Sequence, residues 1–121
     1  MDDNSINLQY IQQKPWGNFE NFIKSKNYLV KILNIEVGHE ISLQKHRFRD
    51  EHWVILQGSC IITNGANAHK GKENDYFFIK KNSVHNLKNT GNNQLKILEV
   101  QFGQKISEKD ITRLSDPYNR R

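Results

Sequence analysis

Short apolar runs separated by turn-forming residues run through this chain, and no stretch before residue 104 holds a helical period for three turns. That pattern restricts it to a strand-rich fold. Strands are expected near 19–23, 28–37, 40–46, 51–57, 59–64, 75–79, 84–88 and 95–102. The breaks carry Gly38, Gly58, Asn64-Gly65-Ala66-Asn67, Lys81-Asn82 and Asn89-Thr90-Gly91-Asn92-Asn93, all rich in residues that accept turn dihedrals. Eight short strands at this spacing suit an all-β double-sheet jelly roll or small barrel. After Gly103 the pattern changes. Ser107 to Leu114 reads as a short C-terminal helix, capped by Ser107, with Asp110 at the capping-box position and Pro117 ending it.

A length of 121 residues fits a single domain over 1–121. With 36% hydrophobic residues and a mean hydropathy of -0.80 the core must be thin, as a half-buried β architecture allows. No apolar run is long enough to span a membrane. The start, Met1-Asp2-Asp3-Asn4-Ser5, lacks the basic-then-apolar order of a secretory signal, so a cytoplasmic protein is expected. A lone cysteine, Cys60, lies in an apolar run and reads as a buried inert thiol. Lys and Arg outnumber Asp and Glu by 18 to 13, a net +5 that favours anionic partners. The basic residues are scattered and form no nucleic-acid-binding pattern, so phosphorylated metabolites are the better match.

Chemistry concentrates in the stretch from Gln44 to Trp53 and in His85. Strand side chains alternate faces, so Gln44 and His46 point one way, and Glu51 shares a face of the next strand with Trp53 and Ile55. A hairpin between the two strands brings 44, 46 and 51 together. Imidazole, carboxylate and amide oxygen form a borderline-hard set that suits Zn²⁺, Mn²⁺, Fe²⁺, Co²⁺ or Ni²⁺. His39, His52 and His69 fall outside this set and read as structural or surface residues. Lys31 alternates with Leu33, Ile35 and Val37, which places it either inside the barrel or on an apolar outer face.

The segment Gly38-x5-Gln44-x-His46-x4-Glu51-x6-Gly58 resembles the first motif of the cupin family, with glutamine in place of the usual first histidine. His85-x3-Asn89 resembles the end of the second motif, although Lys80 and Asn82 replace its usual proline and glycine. Further blocks carry the resemblance along most of the chain: Lys14-Pro15-Trp16-Gly17, Val30-Lys31-Ile32-Leu33, Ser42 to His46, Arg49 to Trp53, Glu99-Val100-Gln101-x-Gly103, Asp110-Ile111-x-Arg113 and Tyr118-x-Arg120. Within cupins they resemble the type II mannose-6-phosphate isomerases, which also occur as the C-terminal domain of bifunctional enzymes carrying a mannose-1-phosphate guanylyltransferase.

The resemblance implies a cupin double-stranded β-helix with a divalent metal on Gln44, His46, Glu51 and His85, zinc foremost. It implies interconversion of mannose 6-phosphate and fructose 6-phosphate on the way to GDP-mannose. Lys31 and Glu51 are then the candidate acid/base groups. Arg49, Arg113 and Arg120 are candidates for the phosphate, with Tyr118 anchoring the tail, and Ser42 and Gln101 for the sugar hydroxyls. Trp16 and Trp53 read as core or lid packing. The sequence has neither the length nor the Gly-rich loop of a guanylyltransferase, so either a stand-alone isomerase or a module with a guanylyltransferase partner on a separate chain is expected, and a homodimer is expected from the family. The competing readings are a non-catalytic sugar-binding or regulatory cupin and a metal-dependent dioxygenase.

Overall fold

A computed structural model describes residues 6–120; Met1 to Ser5, on which the no-export reading rests, and Arg121 lie outside the described residues. Eleven strands follow one another: β1 (Ile6–Lys14), β2 (Gly17–Lys24), β3 (Tyr28–Ile35), β4 (Leu43–Lys45), β5 (Arg49–Gln57), β6 (Cys60–Asn64), β7 (Asn67–Gly71), β8 (Tyr76–Ile79), β9 (His85–Asn89), β10 (Leu95–Gly103) and β11 (Thr112–Ser115). They form a six-stranded sheet in the order β1-β2-β3-β10-β5-β8 and a five-stranded sheet in the order β11-β4-β9-β6-β7. All strand pairs are antiparallel. Among the described residues no helix is long and apolar enough to cross a membrane.

The inner faces explain where the core ends and a polar site begins. Along β10 the buried positions are Leu95, Ile97, Glu99 and Gln101; along β5 they are Arg49, Glu51, Trp53 and Ile55. On β3, Lys31 precedes the buried Leu33 and Ile35. Antiparallel register pairs Glu99 with both Lys31 and Trp53, and Gln101 with Glu51. One half of the barrel is therefore packed with Phe19, Ile35, Ile55, Ile62, Ile79, Leu87, Leu95 and Ile97. The other half is lined with charged and amide side chains. Each fully buried aliphatic or aromatic side chain contributes about 1.5–3 kcal/mol, which offsets the cost of that polar half.

Several boundaries differ from the sequence reading. The 40–46 strand shrinks to β4, preceded by an isolated Glu40–Lys88 bridge. β1, β7 and β11 were not expected. The β7 stretch from Asn67 to Lys70 is exposed on both faces, so it carries no apolar alternation; it exists as the return arm of a hairpin whose turn includes Gly65 at φ 65°.

The expected helix at 107–114 is absent. The Ser107 hydroxyl does accept the Lys109 N–H, at 3.1 Å, but this closes a single turn. The Asp110 carboxylate is drawn away to the Arg47 and Phe48 N–H groups, at 2.8 and 3.0 Å, and so is not spent on a helix N-terminus. Residues Thr112 to Ser115 then pair with β4 and extend the smaller sheet.

Ile97 is completely buried at the centre of the core. The Ile97→Ala variant is expected to lose about 2–5 kcal/mol of stability in urea unfolding, and a loss below about 1 kcal/mol would contradict this packing.

Candidate metal centre and cleft

His46, directly after β4, Glu51 on β5 and His85 on β9 form one buried cluster whose ligand atoms all lie within 4.8 Å of one another. His46 Nε2 is 3.2 Å from Glu51 Oε2, and His85 Nε2 is 3.9 Å from Glu51 Oε1. Both rings are turned by their other nitrogen: His46 Nδ1 lies 2.6 Å from the Asp110 carbonyl, and His85 Nδ1 lies 2.9 Å from the Ser83 carbonyl. A carbonyl only accepts, so each Nδ1 carries the proton and each Nε2 lone pair faces the cluster. Burial, the largest influence, lowers the His46 pKa to about 4 and keeps that ring neutral.

Gln44 pairs with His85 in the sheet, and its Nε2 stands 3.3 Å from His46 Nε2 while its Oε1 accepts from the Ser42 hydroxyl at 2.7 Å. A half turn of the amide exchanges the two atoms, and the hydroxyl serves either arrangement because it both donates and accepts. His85 Nε2 is buried and has no hydrogen-bond partner. An orphaned imidazole lone pair beside a carboxylate, a second imidazole and an amide fits a divalent cation of the zinc, manganese, iron, cobalt or nickel group.

Glu51 is 2% exposed, and burial alone would raise its pKa. The positive groups around it, Arg49 foremost, outweigh burial and hold the carboxyl well below the usual carboxylate range. Arg49 is itself buried: Nε donates to Glu51 Oε2 at 2.8 Å, Nη1 to the Ser107 carbonyl at 3.0 Å, and Nη2 lies 3.3 Å from His46 Nε2. Its position depends on Gly103, which faces Arg49 across the β5–β10 ladder; a Cβ there would collide with the Phe48 carbonyl.

Beside the cluster lies a cleft of about 620 Å³, including the space open to solvent at its mouth. Lys31 points inward, 4% exposed, with Nζ 3.2 Å from Glu108 Oε2, 3.6 Å from Glu99 Oε2 and 4.1 Å above the Phe19 ring.

Glu99 accepts from Trp53 Nε1 at 2.9 Å and from Gln101 Nε2 at 2.7 Å. Burial first, then the charge of Glu51, pushes its pKa up to about 7. Trp53 Nε1 also reaches Glu51 Oε1, at 3.2 Å, so one indole N–H bridges two carboxylates of opposite titration behaviour.

The remaining expected residues separate by place. Ser42 positions Gln44, and Gln101 positions Glu99. Tyr118 ties the tail to the loop before β4, with its hydroxyl 2.8 Å from His39 Nδ1. Arg113 and Arg120 line the cleft, whereas Arg49 turns inward to the cluster. Trp16 and Trp53 are core residues. His52 pairs with Tyr76 at 2.6 Å, away from the cluster.

Three cleft residues were missed as site residues: Glu99, Glu108 and Lys14. Alternation gave a signal for Glu99, since it follows Leu95 and Ile97 on one face of a predicted strand. Glu108 lay in the misread helix, and Lys14 lay before the first expected strand.

The sequence profile described as "Mannose-6-phosphate isomerase C-terminal" matches residues 2–116. The chain belongs to this family. It is 38% identical over 101 residues to the mannose-1-phosphate guanylyltransferase RfbM of Salmonella typhimurium, covering 84% of this chain and 21% of that protein. It is 36% identical over 107 residues to the alginate biosynthesis protein AlgA of Pseudomonas putida, covering 88% of this chain and 22% of that one. The chain thus spans about a fifth of the length of these relatives. Among solved structures, the cupin domain of Schizosaccharomyces pombe Cnp3 superposes with a TM-score of 0.73 at 18% identity, covering 78% of this chain and 68% of that one. At that identity the likeness speaks for the fold, the cupin double-stranded β-helix expected from the sequence.

The raised Glu99 pKa has a defined effect on stability. The folded protein retains this proton between the ordinary value of 4.5 and about 7, where the unfolded chain releases it, so Glu99 withdraws stability as pH rises through that window. In metal-free protein, urea unfolding of Glu99→Gln should show stability improving relative to the unsubstituted chain from pH 5 to 7 and levelling above. A pH-independent difference would contradict the assignment.

Proposed function

We propose that this domain is a metal-dependent aldose-ketose isomerase that interconverts mannose 6-phosphate and fructose 6-phosphate. The observation that carries the reading is the pairing of a metal-ligand cluster with a separate buried carboxylate, Glu99, whose pKa lies near neutrality, both opening on one cleft. Family membership and relatives named for mannose-1-phosphate guanylyltransferase and alginate biosynthesis support a role in supplying GDP-mannose.

A divalent ion, zinc first among the alternatives, would be held by Gln44, His46, Glu51 and His85, and would act as a Lewis acid toward the carbonyl and the neighbouring hydroxyl of the open-chain sugar. The protein's own residues do the rest. Glu99 takes the proton from C2 of the aldose and returns it to C1, giving the ketose. A carboxylate titrating near the working pH is suited to both halves of that transfer. Trp53 and Gln101 fix the Glu99 oxygens, and Glu99 lines the cleft. Lys31 stands beside Glu99 and offers N–H donors to the sugar oxygens, between which a matching proton must also move. Phe19 and Trp16 wall the cleft on its apolar side and limit the access of water.

This assignment moves the base from the expected candidates, Lys31 and Glu51, to Glu99. Glu51 is held ionised at the cluster and accepts from Arg49 and Trp53, which leaves it poorly placed to cycle a proton.

The test is isomerisation of mannose 6-phosphate, followed through fructose 6-phosphate formation, in protein analysed for metal before and after chelation. Turnover should disappear with the metal and return on reconstitution. Glu99→Gln should lower kcat by about 10²–10⁴ with metal content unchanged. Absence of turnover in fully loaded protein, across a panel of hexose and pentose phosphates, would remove the isomerase reading and leave a sugar-binding cupin.

A further inference from the structure

A second hollow lies on the outside of the barrel wall, and the isomerisation makes no use of it. Arg47 and Phe48 line it from the turn after β4, Lys81 from the turn after β8, and Asp50 and Phe102 from β5 and β10. Asp50 and Phe102 are register partners, and each points away from its neighbour in the site, Glu51 or Gln101, because strand side chains alternate. Gly103 brings the parts together. A Cβ at 103 would collide with the Phe48 carbonyl, so the glycine lets the Phe48 turn lie against the end of β10 and places two aromatic rings in one hollow.

Both rings are open to solvent, Phe48 at 40% and Phe102 at 54%. Cations gather around them. The Arg47 guanidinium stands 5.2 Å from the centre of the Phe48 ring and Lys105 Nζ 5.1 Å from it, so that ring holds two positive charges beside the hollow. Lys81 adds a third. The carboxylates at this place are engaged elsewhere: Asp110 accepts from the Arg47 and Phe48 backbone N–H groups, and Asp50 from the Lys81 backbone N–H at 2.8 Å. Among the described residues no carboxylate lies within salt-bridge distance of the Arg47, Lys81 or Lys105 side chains. Arg49 is also part of the lining, but its guanidinium is directed to Glu51, Ser107 and His46.

Three cations against two committed carboxylates call for an anion, and two half-exposed rings call for something flat and apolar beside it. An inorganic anion would leave the rings in water. A peptide strand has no edge to join, since β10 lies between β3 and β5, and β5 between β10 and β8. We propose that this hollow is a nucleoside-phosphate site, in which the base packs on Phe102 and the phosphates reach Arg47, Lys81 and Lys105. Arginine matches phosphate oxygens with a planar fork, and an aromatic ring accepts any base on its face. The site uses neither the metal cluster nor Glu99 and is independent of the isomerase reading.

Amide ¹H–¹⁵N spectra of the zinc-loaded chain, titrated at fixed ionic strength with ADP, adenosine and inorganic phosphate, test the site by both place and affinity. ADP should give saturable shifts at the amides of residues 47–50, 81 and 102–105. Adenosine and phosphate should each bind at least about fivefold more weakly, because each lacks one half of the ligand. Phe102→Ala should weaken ADP by about fivefold or more and Lys81→Gln by about threefold. Both positions are exposed, and the same spectra report whether the variants are folded. Lys24→Gln, which removes an exposed lysine from β2, should leave ADP binding unchanged. The proposal is overturned by the absence of saturable shifts, by shifts at Lys31, Glu108 and Arg113 in the cleft instead, by phosphate binding as tightly as ADP, or by equal loss in the Lys24 variant.

Discussion

A single buried negative charge, the Glu51 carboxylate, organises the polar half of this barrel. Removing a carboxylate from water costs several kcal/mol, and the cost is met only when nearly every lone pair finds a partner. Arg49 and Trp53 supply N–H donors, while the unprotonated Nε2 atoms of His46 and His85 face the same carboxylate, an arrangement that a shared cation would satisfy. Each of these partners needs support of its own. Arg49 requires the Ser107 carbonyl, His46 the Asp110 carbonyl and His85 the Ser83 carbonyl. The chain from Ser107 to Asp110 is therefore bound to the barrel by the needs of one charge.

That dependence explains why the C-terminal segment is extended rather than helical. Local propensity offered a capped helix, worth about 0.5–2 kcal/mol for its cap. The tertiary alternative spends the same residues on more partners: the Asp110 carboxylate takes two backbone N–H groups at the 47–48 turn, and its carbonyl fixes His46. Strand β11 then covers an edge of the smaller sheet. A misread element and the construction of the site share this one physical cause.

Legibility in the sequence followed the same division. The alternating runs of β3, β5 and β10 declared the sheets, and the turns at Gly38, Gly58 and Asn82 appear with positive φ. The ligand types were legible because Gln44, His46 and Glu51 lie close together in the sequence, but the expected hairpin does not form: β4 pairs with β9 and β11, β5 with β8 and β10, and the ligands meet across the two facing sheets. β7 and β11 were not legible, since neither buries a continuous apolar face. Glu108 and Lys14 meet the cleft only through long-range folding, and no local pattern encodes that. Glu99 lies between these cases, a charge on an otherwise apolar face whose meaning depends on Lys31 and Trp53 across the register.

The same register also gives the two buried carboxylates different chemistry. Glu51 and Glu99 sit on adjacent strands and share the Trp53 N–H, yet the Arg49 guanidinium donates directly only to Glu51. Burial first, and then the Glu51 charge settled beside Arg49, make a second anion costly, and Glu99 titrates near neutrality instead. Two acids separated in this way form a fixed electrostatic anchor and a movable proton. Exchanging their surroundings would exchange their roles: the division belongs to which strand carries Arg49 two residues before a glutamate, not to the carboxylates themselves.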